Sequence, residues 1–121
     1  MNILKSKESV SNDLEKMRKE SKNMRDKYPD RIPCIVERVS GSRNTVPDID
    51  KKKYIVPSDM QLAQFVSVIR KRIRLNPEQA LFIFVNNTLP PSSQSMEQLF
   101  KEHKGENEFL TLHYAGENTF G

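Results

Sequence analysis

Hydrophobic and polar residues alternate along this chain with two different periods. Leu62, Phe65, Val66, Ile69 and Ile73 recur every three or four residues, which places them on one face of a helix. Ser58 and Gln61 have the spacing of a capping box and predict a start at Ser58; Asn76-Pro77 closes the segment after about Leu75. A second, thinner stripe of Leu14, Met17 and Met24 predicts a helix from Asn12, capped with Glu15. Ser21 interrupts its face and Pro29 ends it, so this helix should lie against the domain, not inside it. Residues 1–11 show little periodicity beyond a possible short turn.

The period of two marks strands. In Arg31–Val39, Cys34 and Val36 point one way while Pro33, Ile35 and Glu37 point the other. Lys53–Val56 is a short strand of residues that suit a pleated surface. In Phe109–Tyr114, Leu110, Leu112 and Tyr114 share one face, and Phe109, Thr111 and His113 the other. Leu81–Val85 is apolar without alternation and predicts a central strand covered on both faces. Ser40–Pro47 is a loop by composition, short enough for the first two strands to pair antiparallel. A short helix near Ser95 carries Met96, Leu99 and Phe100, with Gly105 at its exit. The segment after Tyr114 is a polar, Gly-containing tail.

The order is helix, strand, strand, long helix, strand, short helix, strand. One long amphipathic helix across a four-stranded mixed sheet makes a two-layer α+β domain, with the elements of a β-grasp. Its expected divisions are a helical extension over 1–28, the sheet domain over 29–115 and a tail over 116–121.

Composition narrows the function. The chain has 121 residues, enough for one domain with a modest core. Its longest apolar run, Ala80–Val85, falls far short of the roughly 18 residues of a membrane span, and Met1–Lys7 is too polar for a secretory signal. The single cysteine cannot form an internal disulfide; within Ile32-Pro33-Cys34-Ile35-Val36 it is most simply a small core residue. With His103 and His113 it gives too few ligands for zinc, so neither metal, cofactor nor catalytic residue is expected. The net charge of +4 permits nucleic-acid binding, with Arg70–Arg74 as the obvious patch. The chain lacks Trp for base stacking, so nucleic acid is not the expected partner. Cations at a helix C-terminus also complement the helix dipole with no ligand at all.

Asp48–Asp59 is the most suggestive stretch. Three lysines crowd the start of the Lys53–Val56 strand, a common guard on an unpaired sheet edge. An edge strand armed with cations suits an extended, acidic peptide.

Several segments resemble one known family: Tyr28–Pro33, Asp50–Asp59, Gln64-Phe65, Ile69–Ile73, Phe82–Pro91 and Gly116–Gly121. Together they are similar to the autophagy ubiquitin-like modifiers, the family of the GABA-receptor-associated protein and microtubule-associated light chain three. The resemblance spans Glu20 to Gly121. It implies a ubiquitin-like β-grasp preceded by two helices. It implies conjugation through Gly121 to phosphatidylethanolamine, carried out by the activating and conjugating enzymes of the autophagy cascade. A cysteine protease that processes and delipidates family members is a further implied partner. So are cargo receptors bearing short aromatic-x-x-aliphatic motifs flanked by acids. Residue by residue, it implies an aromatic pocket of Glu20, Met24, Pro33, Ile35, Lys53, Ile55 and Phe109. An aliphatic pocket would use Tyr54, Val56, Pro57, Met60, Phe65 and Val68. Arg31, Lys51, Lys52 and Arg72 would meet the acids, and Phe82 and Phe84 match a possible second docking surface. The implied location is the cytoplasm and, once lipidated, autophagosomal or vacuolar membranes. Where the family usually has an aromatic residue or glycine before Phe109, this chain has Glu108. An unconjugated peptide-binding adaptor and a basic nucleic-acid-binding domain are the alternative readings.

Overall fold

The computed structural model describes residues 3–40 and 46–117, with side chains from residue 12 onward. Seven elements follow one another: α1 (Ile3–Lys27), β1 (Arg31–Arg38), β2 (Lys53–Pro57), α2 (Leu62–Arg72), β3 (Phe82–Phe84), α3 (Met96–His103) and β4 (Leu110–Ala115). The strands form one sheet in the order β2-β1-β4-β3. β1 and β2 pair antiparallel, β1 and β4 parallel, and β3 and β4 antiparallel. This is the mixed sheet of a ubiquitin-like fold.

The period of two sorts the sheet into faces. Ile32, Cys34 and Val36 of β1, Tyr54 and Val56 of β2, Ile83 of β3 and Leu110, Leu112 and Tyr114 of β4 point inward. They join Leu62, Phe65, Ile69 and Ile73 of α2 and Met96, Leu99 and Phe100 of α3 in one buried cluster. The loop before β2 also enters this core. Val46 and Ile49 are buried, Tyr114 Oη donates to the Pro47 carbonyl at 2.7 Å, and Arg38 Nη1 donates to that of Val46 at 3.0 Å. Burial pushes the Tyr114 hydroxyl up to about 12. Cys34 is wholly enclosed, and burial raises its thiol far above the ordinary range, so its role is packing.

Five expectations are corrected. The main helix starts at Leu62, not Ser58. Ser58 N–H donates to Asp30 and Ser58 C=O accepts from Glu97, so its backbone is tied to distant partners. The box shifts along the chain: Gln61 N–H donates to Gln64 Oε1 at 2.9 Å. At its other end the helix stops at Arg72, because Arg74 turns left-handed at φ 54°.

The N-terminal region is one continuous helix through Asn12, not a helix capped there or a pair of helices. No Gly or Pro lies between Ile3 and Lys27 to break it. Ser21 does not interrupt its docking face; it is the docking point. Ser21 is fully buried and its hydroxyl donates to the Glu108 carbonyl at 2.6 Å, while Arg18 Nε donates to that of Glu106 at 2.7 Å. These bonds hold α1 on the turn that leads into β4, across the outer face of the sheet.

β3 is an edge strand, not a central one. Its run is apolar because Leu81 and Phe82 line a groove with Leu62, Val66, Leu89 and Pro90.

Finally, the turn before β4 places Glu108 at φ 66°. A left-handed residue with a Cβ costs about 1–2 kcal/mol, whereas glycine adopts that conformation freely at an entropic cost of roughly 0.5–1 kcal/mol. Glu108→Gly should therefore stabilise the protein by about 0.5–1 kcal/mol. Ser21 bonds only the backbone carbonyl here, so that contact survives the change. Chemical denaturation measures the gain, and a loss of stability would show that the turn is not strained.

Candidate functional site

β2 sits at the margin of the sheet, with β1 on one side and no strand pairing with the other among the described residues. The phase of its hydrogen bonds follows from two contacts. Val36 N–H donates to Lys52 C=O at 2.8 Å, and Ser58 N–H donates to Asp30 C=O at 2.9 Å. Bonded residues alternate along an antiparallel strand, so Lys52, Tyr54, Val56 and Ser58 turn their backbone groups toward β1. Lys53 and Ile55 turn theirs outward. Pro57 offers only a carbonyl there, which limits this edge to a short added strand.

The side chains around this edge fall into two groups, one on each face of the sheet, each lining a candidate hollow. On the outer face, Pro33 lies opposite Ile55 and Ile35 opposite Lys53, and Ile35 also lies opposite Thr111. Phe109 shares that face two residues before Thr111. Pro33, Ile35 and Phe109 are buried and make a floor, whereas Met24 of α1 and Ile55 are half-buried and make walls. Glu20 and Lys53 close the rim with an ion pair of 2.7 Å from α1 to β2. The seven residues expected for the aromatic pocket thus belong to α1 and to the outer side of the sheet, and of them Glu20, Met24, Lys53 and Ile55 are open to a ligand.

The other hollow lies between the inner face of β2 and α2. Tyr54, Val56 and Phe65 are buried, with the Tyr54 and Phe65 rings edge to face at 5.5 Å. Pro57 and Met60 are half-buried, and Val68 is 38% exposed. One turn beyond Val68, Arg72 reaches across to the loop before β2 and binds Asp50 through two bonds of 2.9 and 3.2 Å. The hydrogen bond from Arg72 holds the Asp50 carboxyl below its usual range, and Asp50 raises the Arg72 guanidinium in return.

The other expected acid-contacting residues surround the same edge. Lys52 pairs with Asp48 at 3.7 Å. Arg31 lies over the Tyr28 ring at 5.5 Å and Lys51 over the Tyr54 ring at 5.1 Å. Asp48 and Asp50 were not among the expected site residues. Their signal is their place immediately before the three lysines, opposite in charge. Phe82 and Phe84 lie on β3, at the far margin of the sheet; Phe84 is 3% exposed, so only Phe82 faces the groove there. Gly121 lies outside the described residues.

The surface lacks the marks of a metal site: among the described residues no group of three or more His, Cys, Asp or Glu converges. Nor is any described helix long and apolar enough to cross a membrane. Arg70 is engaged within the molecule, where Nη2 donates to the carbonyls of Asn76, Pro77 and Gln79.

Comparison with known proteins places this architecture. A family model described as "Autophagy protein Atg8 ubiquitin like" matches residues 16–121. Autophagy-related protein 8a of Arabidopsis thaliana is 56% identical over 119 residues, covering 98% of this chain and 96% of its own length. Autophagy-related protein 8B of Oryza sativa subsp. indica is 52% identical, covering 98% of both chains. The crystal structure of Trypanosoma brucei ATG8 superposes with a TM-score of 0.80 at 41% identity, covering 89% of this chain and 91% of the other.

Proposed function

The chain belongs to the Atg8 family of ubiquitin-like autophagy proteins, and from that premise we propose that it is a lipid-conjugated modifier that captures short peptide motifs. The observation that carries the proposal is the outer side of β2. Lys53 and Ile55 present backbone groups there, between a hollow under α1 and a hollow beside α2. A peptide that adds a strand at this margin gains main-chain hydrogen bonds, and the two hollows select its side chains. An aromatic anchor enters under α1 and an aliphatic anchor enters beside Val68. Because side chains alternate along a strand, anchors three positions apart leave on opposite sides, and the hollows lie on opposite faces of the sheet to meet them.

In this reading the protein is no enzyme. It is the substrate of activating and conjugating enzymes, which join Gly121 to phosphatidylethanolamine, and of a cysteine protease that processes and releases it. Conjugation would move it from the cytoplasm to autophagosomal or vacuolar membranes. There it would gather cargo receptors, as the GABA-receptor-associated and light chain three group does. Two anchors and a charged rim correspond to micromolar affinity, about 8 kcal/mol. The groove of Leu62, Val66, Phe82 and Leu89 on the far margin is the place for any second docking surface.

Val68→Asp separates capture from folding. The site is exposed, so stability should change by no more than about 0.5 kcal/mol. A carboxylate in the aliphatic hollow should weaken an aromatic-x-x-aliphatic peptide by roughly 10–100-fold, the range of a lost anchor. Calorimetric titration with such a peptide, beside a denaturation curve, checks both. Unchanged affinity in a folded variant would remove the hollow from the site.

A further inference from the structure

Two of the four cations expected to meet acidic residues, Arg72 and Lys52, already face carboxylates within the molecule, as does Lys53 of the expected aromatic pocket. Arg72 holds Asp50 through both oxygens, Lys52 is near Asp48, and Lys53 is held by Glu20. The Arg72 pair has the best geometry of the two on the aliphatic side. A guanidinium fork meets a carboxylate with two parallel bonds, the most directional ion pair available to side chains. Both partners lie open to solvent, with side-chain exposures of 44% for Arg72 and 74% for Asp50. The pair is therefore exchangeable, and a second carboxylate can approach it from outside.

Among the described residues, Arg72 is the cation paired with Asp50. Its Oδ1 accepts from the Lys51 N–H at 2.9 Å, a bond that fixes the side chain toward α2. The adjacent lysine, Lys51, is turned over the Tyr54 ring. The Tyr54 hydroxyl is buried with no hydrogen-bond partner among the described residues. Arg72 and Asp50 act on it with opposite sign, so it lies within the field of the pair.

We propose that Asp50 is a specificity-determining residue for peptide capture: it occupies Arg72 in the empty protein, and the acidic flank of an incoming peptide binds by taking its place. The inference rests on the motif-capture reading above and concerns how that site ranks its ligands. A neutral flank leaves the Asp50–Arg72 pair intact and gains nothing from Arg72. An acidic flank exchanges one carboxylate for another, so its advantage is trimmed by the pair it breaks. Asp50 thus lowers the reward for acidity at this position and lets the two anchors dominate the choice of partner. Lys51, which lies over a ring and not against a carboxylate, is the cation that draws the flank in.

The test uses the full chain and two synthetic peptides that share one aromatic-x-x-aliphatic core. One carries glutamates on both flanks and the other carries serines. Asp50→Asn keeps the oxygen that accepts from Lys51 N–H but removes the charge that holds Arg72. Both partners are exposed, so the fold should persist, and circular dichroism verifies it. Asp50→Asn should tighten the acidic peptide about two- to fivefold, within the worth of an exchangeable ion pair, and leave the serine peptide unchanged. In the Arg72→Ala background the same substitution should have no selective effect, because the cation it released is gone. A ratio of acidic to serine affinity that Asp50→Asn does not raise would overturn the proposal, as would an equal rise in the Arg72→Ala background. If the wild-type chain binds neither peptide, the motif-capture reading itself fails and takes this inference with it.

Discussion

Replacing Phe109 by alanine should lower the unfolding free energy by about 3–5 kcal/mol, the cost of a large cavity in a closed site. Phe109 is fully buried, yet it belongs to the outer face of the sheet and stands apart from the main cluster. It lies next to Glu108, whose carbonyl receives the Ser21 hydroxyl, so it supports the sheet where α1 is fastened. The hole left by the ring has few routes to collapse. The strand beneath is fixed by its parallel partner β1, and α1 is fixed by Ser21 and Arg18. Under folding conditions the same change should weaken a peptide with an aromatic anchor, because the floor of that hollow is gone. The contrast with Val68→Asp is diagnostic: one substitution removes stability and affinity together, the other affinity alone. Urea denaturation of Phe109→Ala with a loss under about 1 kcal/mol would show that α1 does not seal this face.

This contrast also explains which parts of the molecule could be read from its sequence. The inward stripe of α2 and the alternation in β1, β2 and β4 are local patterns, and each maps onto the observed core. The edge position of β2 was foreshadowed by Lys51, Lys52 and Lys53, because guarding an edge leaves a compositional mark. Features that depend on distant partners left no such mark. Ser58 has the residue type and spacing of a helix cap, but its backbone bonds to Asp30 and Glu97 draw it into a turn. Ser21 looked like a flaw in an apolar stripe because nothing nearby in sequence shows that the Glu108 carbonyl waits opposite. Leu81–Val85 looked central because a groove can cover a strand as well as two neighbouring strands can. In the candidate site, the expected pocket and acid-contacting residues lie around the β2 edge, whereas Phe82 and Phe84 lie on β3 at the other margin. The Asp50–Arg72 pair, 22 positions apart, required the fold to bring it together.

If the protein is conjugated through Gly121 as proposed, loss of that residue should have the most complete effect on function. With Gly121 deleted, or replaced by alanine, conjugation to phosphatidylethanolamine should fall below detection while folding and peptide capture stay unchanged. The reason for the separation is positional. β4 ends at Ala115, Gly116 is half-buried and Glu117 is exposed, so the sheet and both hollows are complete before the final four residues. The chemical reason lies in the enzymes. A C-terminal carboxylate activated and passed between thioesters must thread narrow clefts, and glycine has no Cβ to meet their walls. Attachment to a two-chain lipid then gives stable membrane residence, where a single acyl chain would not. Intact-mass measurement of protein recovered from membranes, after incubation with the purified cascade and liposomes, reads the outcome directly. Wild-type protein should carry the added mass of one phospholipid, and the Gly121 variants should carry none. Equal conjugation of Gly121→Ala would show that the clefts tolerate a side chain. Membrane-recovered wild-type protein with its unmodified mass would leave an unconjugated adaptor, acting through the β2 margin alone.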